Sequence, residues 1–445
     1  MADVNRGGAT RRAGPTLVGV ATGTVDGGVA IVRVSGAGTR ELVEGVLEGE
    51  LAEPRRLVRR RLRLLSGFED ALVVWMPGPR SFTGEDVVEL HIHAGPANVE
   101  EVVEELLARG ATAAGPGDFS RRAFERGRMS LDQAEGFAAL IGAQSAAQAA
   151  MARRLCGGEL GRAVDGLVAR VREALLYVTA VIDFPEDVAE SSARGQASAV
   201  ADVAAELERW LAGFEAGRRQ RMVPRVVLAG PPNAGKSALF NMLLGHGRAI
   251  VASQPGTTRD YLEQPLTIDG FRCLLVDTAG LRGRVGAVEQ AGIERSREQM
   301  AGADVIIWVE AADEPDADDA PPPGAAVLRV ENKRDQGRRR EWLGACATTG
   351  AGRQDIEGWL RQWFRGPGGD APWVGLARHR DCAERSLSAL KRARRQLEPD
   401  GELECAAVDL EEAVRHLDAI RGRGGGGAVG EAVLREVFGR LCIGK

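Results

Sequence analysis

The alternation of apolar and polar residues marks the chain before Gly110 as strand-rich. Thr16–Gly36 reads TLVGVATGTVDGGVAIVRVSG, two apolar runs around a Gly-rich turn, and Ala71–Pro77 and Asp86–His93 repeat the strand signature. Val99, Val102, Val103, Leu106 and Leu107 then fall at helical spacing, with Gly110 placed to close the helix. The first region is therefore expected to be α+β. From Ser130 the period changes. Ser130 and Gln133 have the spacing of a capping box, and Leu160, Val164, Leu167, Val171, Leu175, Val178 and Ile182 lay one apolar stripe along a long helix. Val200, Val203, Leu207 and Leu211 predict another.

Four short runs rich in β-branched residues follow: RVVLAG (Arg225–Gly230), FRCLLVD (Phe271–Asp277), DVIIWVE (Asp304–Glu310) and AAVLRVE (Ala325–Glu331). Their spacing is that of strands in an α/β sheet. After Pro372 helical periodicity returns through Ser386–Leu397, Leu410–Ile420 and Val433–Leu441. The pattern predicts a multidomain chain: an N-terminal domain over 15–127, a helical domain split between 128–221 and 373–445, and an α/β domain over 222–372 inserted into it. DEPDADDAPPP (Asp313–Pro323) puts an acidic loop where an α/β unit normally carries a helix, and RGRGGGG (Arg421–Gly427) reads as a flexible connection.

Composition narrows this picture. With 445 residues, 44% of them hydrophobic, the chain can bury several cores. No apolar run approaches the roughly 18 residues that span a bilayer, and the Arg-containing leader before Pro15 runs into a strand instead of a secretory core, so no membrane role and a cytoplasmic location are expected. The cysteines (Cys156, Cys273, Cys346, Cys382, Cys405, Cys442) lie far apart with no C-x-x-C, which argues against both a disulfide framework and a zinc site. A net charge of -5 means that any nucleic-acid contact must come from a local basic surface. Of the 58 basic residues only four are lysine: Lys236, Lys333, Lys391 and Lys445. Where Arg is so favoured, Lys is expected to persist at places that need a compact ammonium.

Two of those lysines sit in nucleotide motifs. Gly230–Ser237 reads GPPNAGKS, directly after a strand and before a helix-like run. There backbone N–H groups and a helix N-terminus can wrap phosphates while Lys236 reaches the β and γ oxygens and Ser237 ligates Mg²⁺. GTTRD (Gly256–Asp260) offers Thr258 as a second Mg²⁺ ligand, and DTAG (Asp277–Gly280) ends a strand with a metal-facing carboxylate and a Gly for the γ-phosphate. In Asn332-Lys333-Arg334-Asp335 the last carboxylate can accept both donors of a guanine edge, which adenine lacks; Cys346 and Ala347 open the loop expected to finish the base site. The set predicts GTP. Leu281 follows DTAG, so a water-orienting glutamine is absent there, and Glu289 or Glu294 could orient water instead. Asn233 can help hold a monovalent cation near the phosphates.

Taken with SFTGEDVVELHIHAGP (Ser81–Pro96), GPGDFSRRAFERGRMSLDQAE (Gly115–Glu135), IDFPED (Ile182–Asp187) and the closing CIGK (Cys442–Lys445), the chain resembles the MnmE (TrmE) family of tRNA-modifying GTPases from Thr16 to Lys445. The resemblance implies a tetrahydrofolate-binding-like α+β domain that dimerises, a discontinuous helical domain and an inserted Ras-like P-loop G domain. It implies a homodimer that joins an FAD- and NADH-using protein of the MnmG type in a heterotetramer. Together they would place a carboxymethylaminomethyl or aminomethyl group on C5 of the wobble uridine of tRNA. The cofactors implied are GTP, Mg²⁺, K⁺ and a reduced folate, as 5,10-methylene- or 5-formyl-tetrahydrofolate. A reading from another class is a regulatory or ribosome-assembly GTPase switch without modification activity.

The resemblance also assigns residues. Nucleotide contacts would come from Asn233, Ala234, Gly235, Lys236, Ser237 and Ala238; from Ala252, Ser253, Gln254, Pro255, Gly256, Thr257 and Thr258; from Asp277, Thr278, Ala279 and Gly280; and from Asn332, Lys333, Asp335, Cys346 and Ala347. Potassium would be held by Asn233 and by carbonyls of Ala252, Gln254 and Thr257. Glu289, eight residues past Leu281, takes the water-activating position, and Glu294 does not. Folate contacts fall on Arg33, Glu89, Arg128 and Lys445, a carboxylate for the pterin edge and cations for a polyglutamate tail. Cys442 matches a cysteine needed for modification; a small buried hydrophobe is its plainer reading. His91 and His93 share a strand face, but without a third ligand they are not expected to bind metal. Departures from the family are TVDGG near Val25–Asp26, Arg128 for Lys, ASQPG in the cation loop and Cys346 for Ser. They imply hydrolysis that is slower or less dependent on K⁺.

Overall fold

The computed structural model describes residues 14–22, 27–245, 263–278, 297–315, 320–366, 375–423, 430–441 and 444. The chain forms two compact units. One holds the residues up to Ile141, Arg154–Val168 and those from Arg415 onward; the other holds Gly142–Arg153 and Ala169–Val414.

In the first unit, β1 (Leu17–Val20), β2 (Val29–Ser35), β3 (Val58–Leu64), β4 (Gly67–Met76), β5 (Val87–His93) and β6 (Thr112–Ala113) make a six-stranded sheet in the order β3-β4-β5-β2-β1-β6. All pairs are antiparallel except β1 with β6. One face is covered: Val32, Val34, Leu62, Val73, Val88 and Leu90 pack with Val99, Val102 and Leu106 of the helix Pro96–Ala108. That helix stops as expected. Gly110 takes a φ of +102°, and the bonds Gly110 N to Leu107 O and Ala111 N to Leu106 O close its last turn. Strand β3 is absent from the expectations above, because its outward positions are all Arg and mask the alternation with Leu62 and Leu64. At the next boundary Gln133 Oε1 accepts from the Ser130 N–H at 3.0 Å, one half of the capping box, while the Ser130 hydroxyl turns to the same oxygen.

In the second unit, β7 (Arg225–Ala229), β8 (Glu263–Ile268), β9 (Phe271–Asp277), β10 (Val305–Ala311), β11 (Ala326–Asn332) and β12 (Leu343–Gly344) form a six-stranded sheet, β12-β11-β10-β7-β9-β8. Only the edge pair β8–β9 is antiparallel. Every residue of β10 is buried, as a central parallel strand covered on both faces requires. Phe364 of the helix Arg353–Arg365 stacks on Phe271 at 5.4 Å and fixes that helix on one face. Burial pushes the Cys273 thiol in this core up to about 12, which leaves it a plain hydrophobe. The helix Ala377–Gln396 packs along Ala197–Ala212 and begins well before Ser386, since its first turns are charged and carry no apolar signal. Between Ala311 and Ala326 no helix occurs among the described residues, consistent with the acidic, Pro-rich sequence there. No helix of the described residues is long and apolar enough to cross a membrane.

Candidate functional site

Strand order reverses at β7, with β9 on one side and β10 on the other, so the loop after β7 opens at the carboxyl edge where α/β sheets receive ligands. The loop then enters the helix Lys236–Leu244. Gly230 has a φ of +138°, and a Cβ there would lie 2.1 Å from the Val309 carbonyl oxygen. Asn233 at +61° and Gly235 at +83° are also left-handed. Such alternation turns successive N–H groups to one side, a nest for an anion. Lys236 is buried and arches back over the loop, its Nζ donating to the carbonyls of Gly230 at 3.0 Å and Pro231 at 2.6 Å. Asn233, Ser237 and Ala238 are exposed beside it, and Ala234 is buried beneath.

Asn332, at the end of β11, joins this loop to the next. Its Nδ2 donates to Ala234 O at 2.9 Å, and its Oδ1 accepts from the Ala347 N–H at 3.2 Å. A Cβ on Gly235 would sit 2.3 Å from that Nδ2, so only glycine permits the clamp. At the end of β9, Asp277 is buried, and the Thr278 hydroxyl donates to Leu228 O at 2.7 Å.

The base-recognition candidates converge after β11. Lys333 has a φ of 59° and sends its Nζ to both oxygens of Asp313 at 3.1 Å. Asp335 is exposed, and the Cys346 Sγ donates to its Oδ1 at 3.2 Å. The Thr348 hydroxyl, with that of Thr349, holds the Cys346 thiol below its ordinary range, although the Asp335 carboxylate pulls the other way. Beneath them lies Glu331. Burial drives its carboxyl upward, but the Arg334 guanidinium and the N–H groups of Arg339 and Arg340 outweigh this and hold it low.

A second constellation occupies the uncovered face of the first sheet. Arg33 and Glu89 stand opposite in register, and Glu89 Oε1 accepts from Arg33 Nε at 3.0 Å and Nη2 at 2.7 Å. The guanidinium lies over Phe82 at 5.1 Å and Phe119 at 5.7 Å, and its Nη1 reaches the Gly444 carbonyl at 2.9 Å. Gly444 is buried with a φ of +90°, and a Cβ there would be 2.0 Å from Val20 O. Gly444 is thus docked beside β1. Arg128 bonds instead to Ser81 O at 3.2 Å, one residue from Phe82, with its stem against Gly84. His91 Nε2 lies 3.6 Å from Glu89 Oε2, whereas His93 turns to Glu69 at 2.9 Å, so the two imidazoles serve different carboxylates.

Ala252, Ser253, Gln254, Pro255, Gly256, Thr257, Thr258, Ala279, Gly280, Glu289, Glu294, Cys442 and Lys445 lie outside the described residues, as does the Val25–Asp26 turn. The Asp313 partner of Lys333 and the Phe82–Phe119 bed of Arg33 have no local sequence signal, because each pairs residues far apart in the chain. The docking of Gly444 at Arg33 agrees with the grouping of Lys445 with Arg33 and Glu89 that the family resemblance implies.

Residues 16–128 match the family described as GTP-binding protein TrmE N-terminus, and residues 131–442 match the MnmE helical domain. A protein of Phenylobacterium zucineum named tRNA modification GTPase MnmE is 38% identical over 97% of this chain and 99% of its own length. Proteins of the same name from Alkalilimnicola ehrlichii and Thermus thermophilus are 40% and 36% identical, over 97% and 96% of this chain and 99% of each relative.

Replacing Arg33 by Ala should release the terminus, because its guanidinium bonds the Gly444 carbonyl. Amide exchange in the C-terminal peptide should rise several-fold with the circular dichroism spectrum unchanged. Unchanged exchange would show that other contacts hold the tail.

Proposed function

The chain belongs to the MnmE family of tRNA modification GTPases, and on that premise we propose that it modifies C5 of the wobble uridine in tRNA together with an FAD-dependent partner of the MnmG type. It is a GTPase acting in tRNA modification. The observation that carries the nucleotide reading is the anion nest of Gly230–Gly235 locked to the base loop by Asn332.

In this reading the phosphates lie on the nest and the start of the helix Lys236–Leu244, with Lys236 leaving the loop carbonyls for the β and γ oxygens. Ser237, exposed at that helix start, and Thr258 ligate Mg²⁺; the buried Asp277 at the end of β9 suits the same ion. Asp335 receives the guanine N1 and N2 donors while the Cys346 thiol steadies its other side. Asn233 and the carbonyls of Ala252, Gln254 and Thr257 hold K⁺, which supplies positive charge where the transferring phosphoryl group gains negative charge. Glu289 orients the attacking water.

The domains in this reading are 15–127 for folate binding and homodimerisation, 128–221 and 373–445 for the helical domain, and 222–372 for the Ras-like G domain. The folate reading is supported by the donor and acceptor set around Glu89. Arg33 bonds Oε1 while Oε2 has only His91 nearby at 3.6 Å, so Oε2 can accept a pterin donor, and Arg128 with Lys445 supplies cations for the glutamate tail. Cys442 stands in the same terminal segment. A reduced folate would contribute the one-carbon unit.

A strain lacking this chain should lose the C5-substituted wobble nucleoside, read by mass spectrometry of digested tRNA. The Lys236→Ala form, expected to bind no GTP, should fail to restore it; restoration would refute the requirement for this nucleotide site. Exchanging K⁺ for Na⁺ should slow GTP turnover by roughly an order of magnitude, as expected on losing a charge aimed at the transition state. Equal rates would remove the potassium assignment and leave guanine recognition untouched. Glu89→Gln should abolish the heat of reduced-folate titration while GTP turnover stays as it was; retained heat would place the pterin elsewhere.

A further inference from the structure

Strand β3 is the last strand of the first sheet, its outer edge bridged to Val46–Glu48 through Leu47 and Leu62, and the segment Arg55–Arg63 holds six arginines and no acid. Alternation sends Arg59, Arg61 and Arg63 to the uncovered face, while Leu62 between them is fully buried in the core. Opposite them in register on β4 stand Leu72, Asp70 and Phe68. Asp70 faces this row, bonded to Arg59 at 2.8 Å and 3.6 Å from Arg61, while Arg63 reaches only the Leu47 carbonyl among the bonds seen. The side chains of Arg59 and Arg61 remain 71% and 56% exposed. The ring of Phe68 is likewise open, at 64%.

Charge on a terminal strand also discourages a further strand from pairing along the part of it that Val46–Glu48 does not cover. That purpose explains the arginines and leaves a bare aromatic ring beside them unexplained. Cations spaced roughly 7 Å apart along an extended strand, next to an exposed aromatic face, match RNA, whose phosphates seek cations and whose unpaired bases stack on rings. The chain as a whole carries -5, so a polyanion needs such a concentrated row to dock. The geometry points to this edge as a docking surface for the tRNA on which the enzyme acts: Arg59, Arg61 and Arg63 take consecutive backbone phosphates and Phe68 stacks on an unpaired base. The inference rests on the tRNA reading above and names where that partner sits.

The test uses the full-length protein and a fluorescent, unmodified tRNA transcript, with anisotropy recorded as KCl is raised. Changing Arg59, Arg61 and Arg63 together to Ala should lower the slope of log K against log salt by about two units, at roughly 0.7 to 0.9 for each phosphate that is no longer neutralised. Changing all three to Lys should restore the slope, since it keeps the charge while dropping the planar fork to Asp70. Phe68→Ala should weaken binding about ten-fold with the slope unaltered. GTP turnover and melting temperature should stay at the parental values in each variant. Parental affinity and slope in the triple Ala variant would overturn the assignment. So would a parental protein that binds no tRNA at low salt, while normal GTP turnover keeps the nucleotide reading standing. Loss of dimer mass in Phe68→Ala with tRNA affinity intact would give this face to a second copy of the chain and also overturn it.

Discussion

A single buried carboxamide ties the phosphate loop of the second unit to its base loop. Asn332 presents a donor and an acceptor on one planar amide, and so bonds both a carbonyl on one loop and an N–H on another. A carboxylate there would face the Ala234 carbonyl with a second lone pair. Each bond contributes only about 1 kcal/mol net, but leaving either buried group unpaired costs about 1–3 kcal/mol, so the clamp is defined mainly by what its loss would expose. Its geometry explains Gly235, which must be small, and it sets the distance between the phosphate nest and the Cys346–Ala347 turn. A phosphate site and a base site at a fixed separation amount to a ruler for a nucleotide.

The first unit is organised by a cation in place of an amide. Arg33 lies on two aromatic rings, bonds the carboxylate opposite it in register, and has one nitrogen left for the Gly444 carbonyl. Its planar fork allows all four contacts at once, which an ammonium could not do. Deeper in the same unit, Glu85 is buried between Arg122 and Arg126, and the Arg122 Nη1 bond of 2.8 Å ties the segment after β6 to the loop before β5. That loop carries Phe82, so the ion pair places one ring of the Arg33 bed. The tail is therefore positioned by contacts that begin with a buried carboxylate some distance from it.

What could be read from the sequence follows from how local each determinant is. The GPPNAGKS loop was legible because left-handed backbone requires glycine or asparagine at particular spacings, and the structure has its positive φ values at Gly230, Asn233 and Gly235. The long helix over Glu159–Asp183 was legible because its apolar stripe repeats for seven turns. Strand β3 was hidden by arginines on its outward face, and β8 by Glu263, Gln264 and Pro265, which suit an antiparallel edge and not a core strand. Asp313 was read as part of an acidic loop; that it reaches Lys333 depends on β10 and β11 being neighbours, which only the sheet order reveals. The docked Gly444 lies 411 residues from Arg33, and no periodicity connects such positions.

The scarcity of lysine offers a final check on sequence inference. Lys236 donates to two carbonyls inside a turn closed by left-handed residues, where a guanidinium has no room for its fork, and it is only 8% exposed. There the retained lysine does mark a site. Lys333 meets both oxygens of one carboxylate with a single nitrogen at partial exposure, a contact that arginine could also make; its left-handed backbone is the stronger constraint. Lys391 pairs with Glu208 on the surface, and both side chains are more than half exposed, which in solution is worth well under about 1 kcal/mol. An arginine would serve equally there. Rarity alone therefore separates nothing: it becomes informative when the ammonium is enclosed, because enclosure is what makes the difference in shape between the two cations matter.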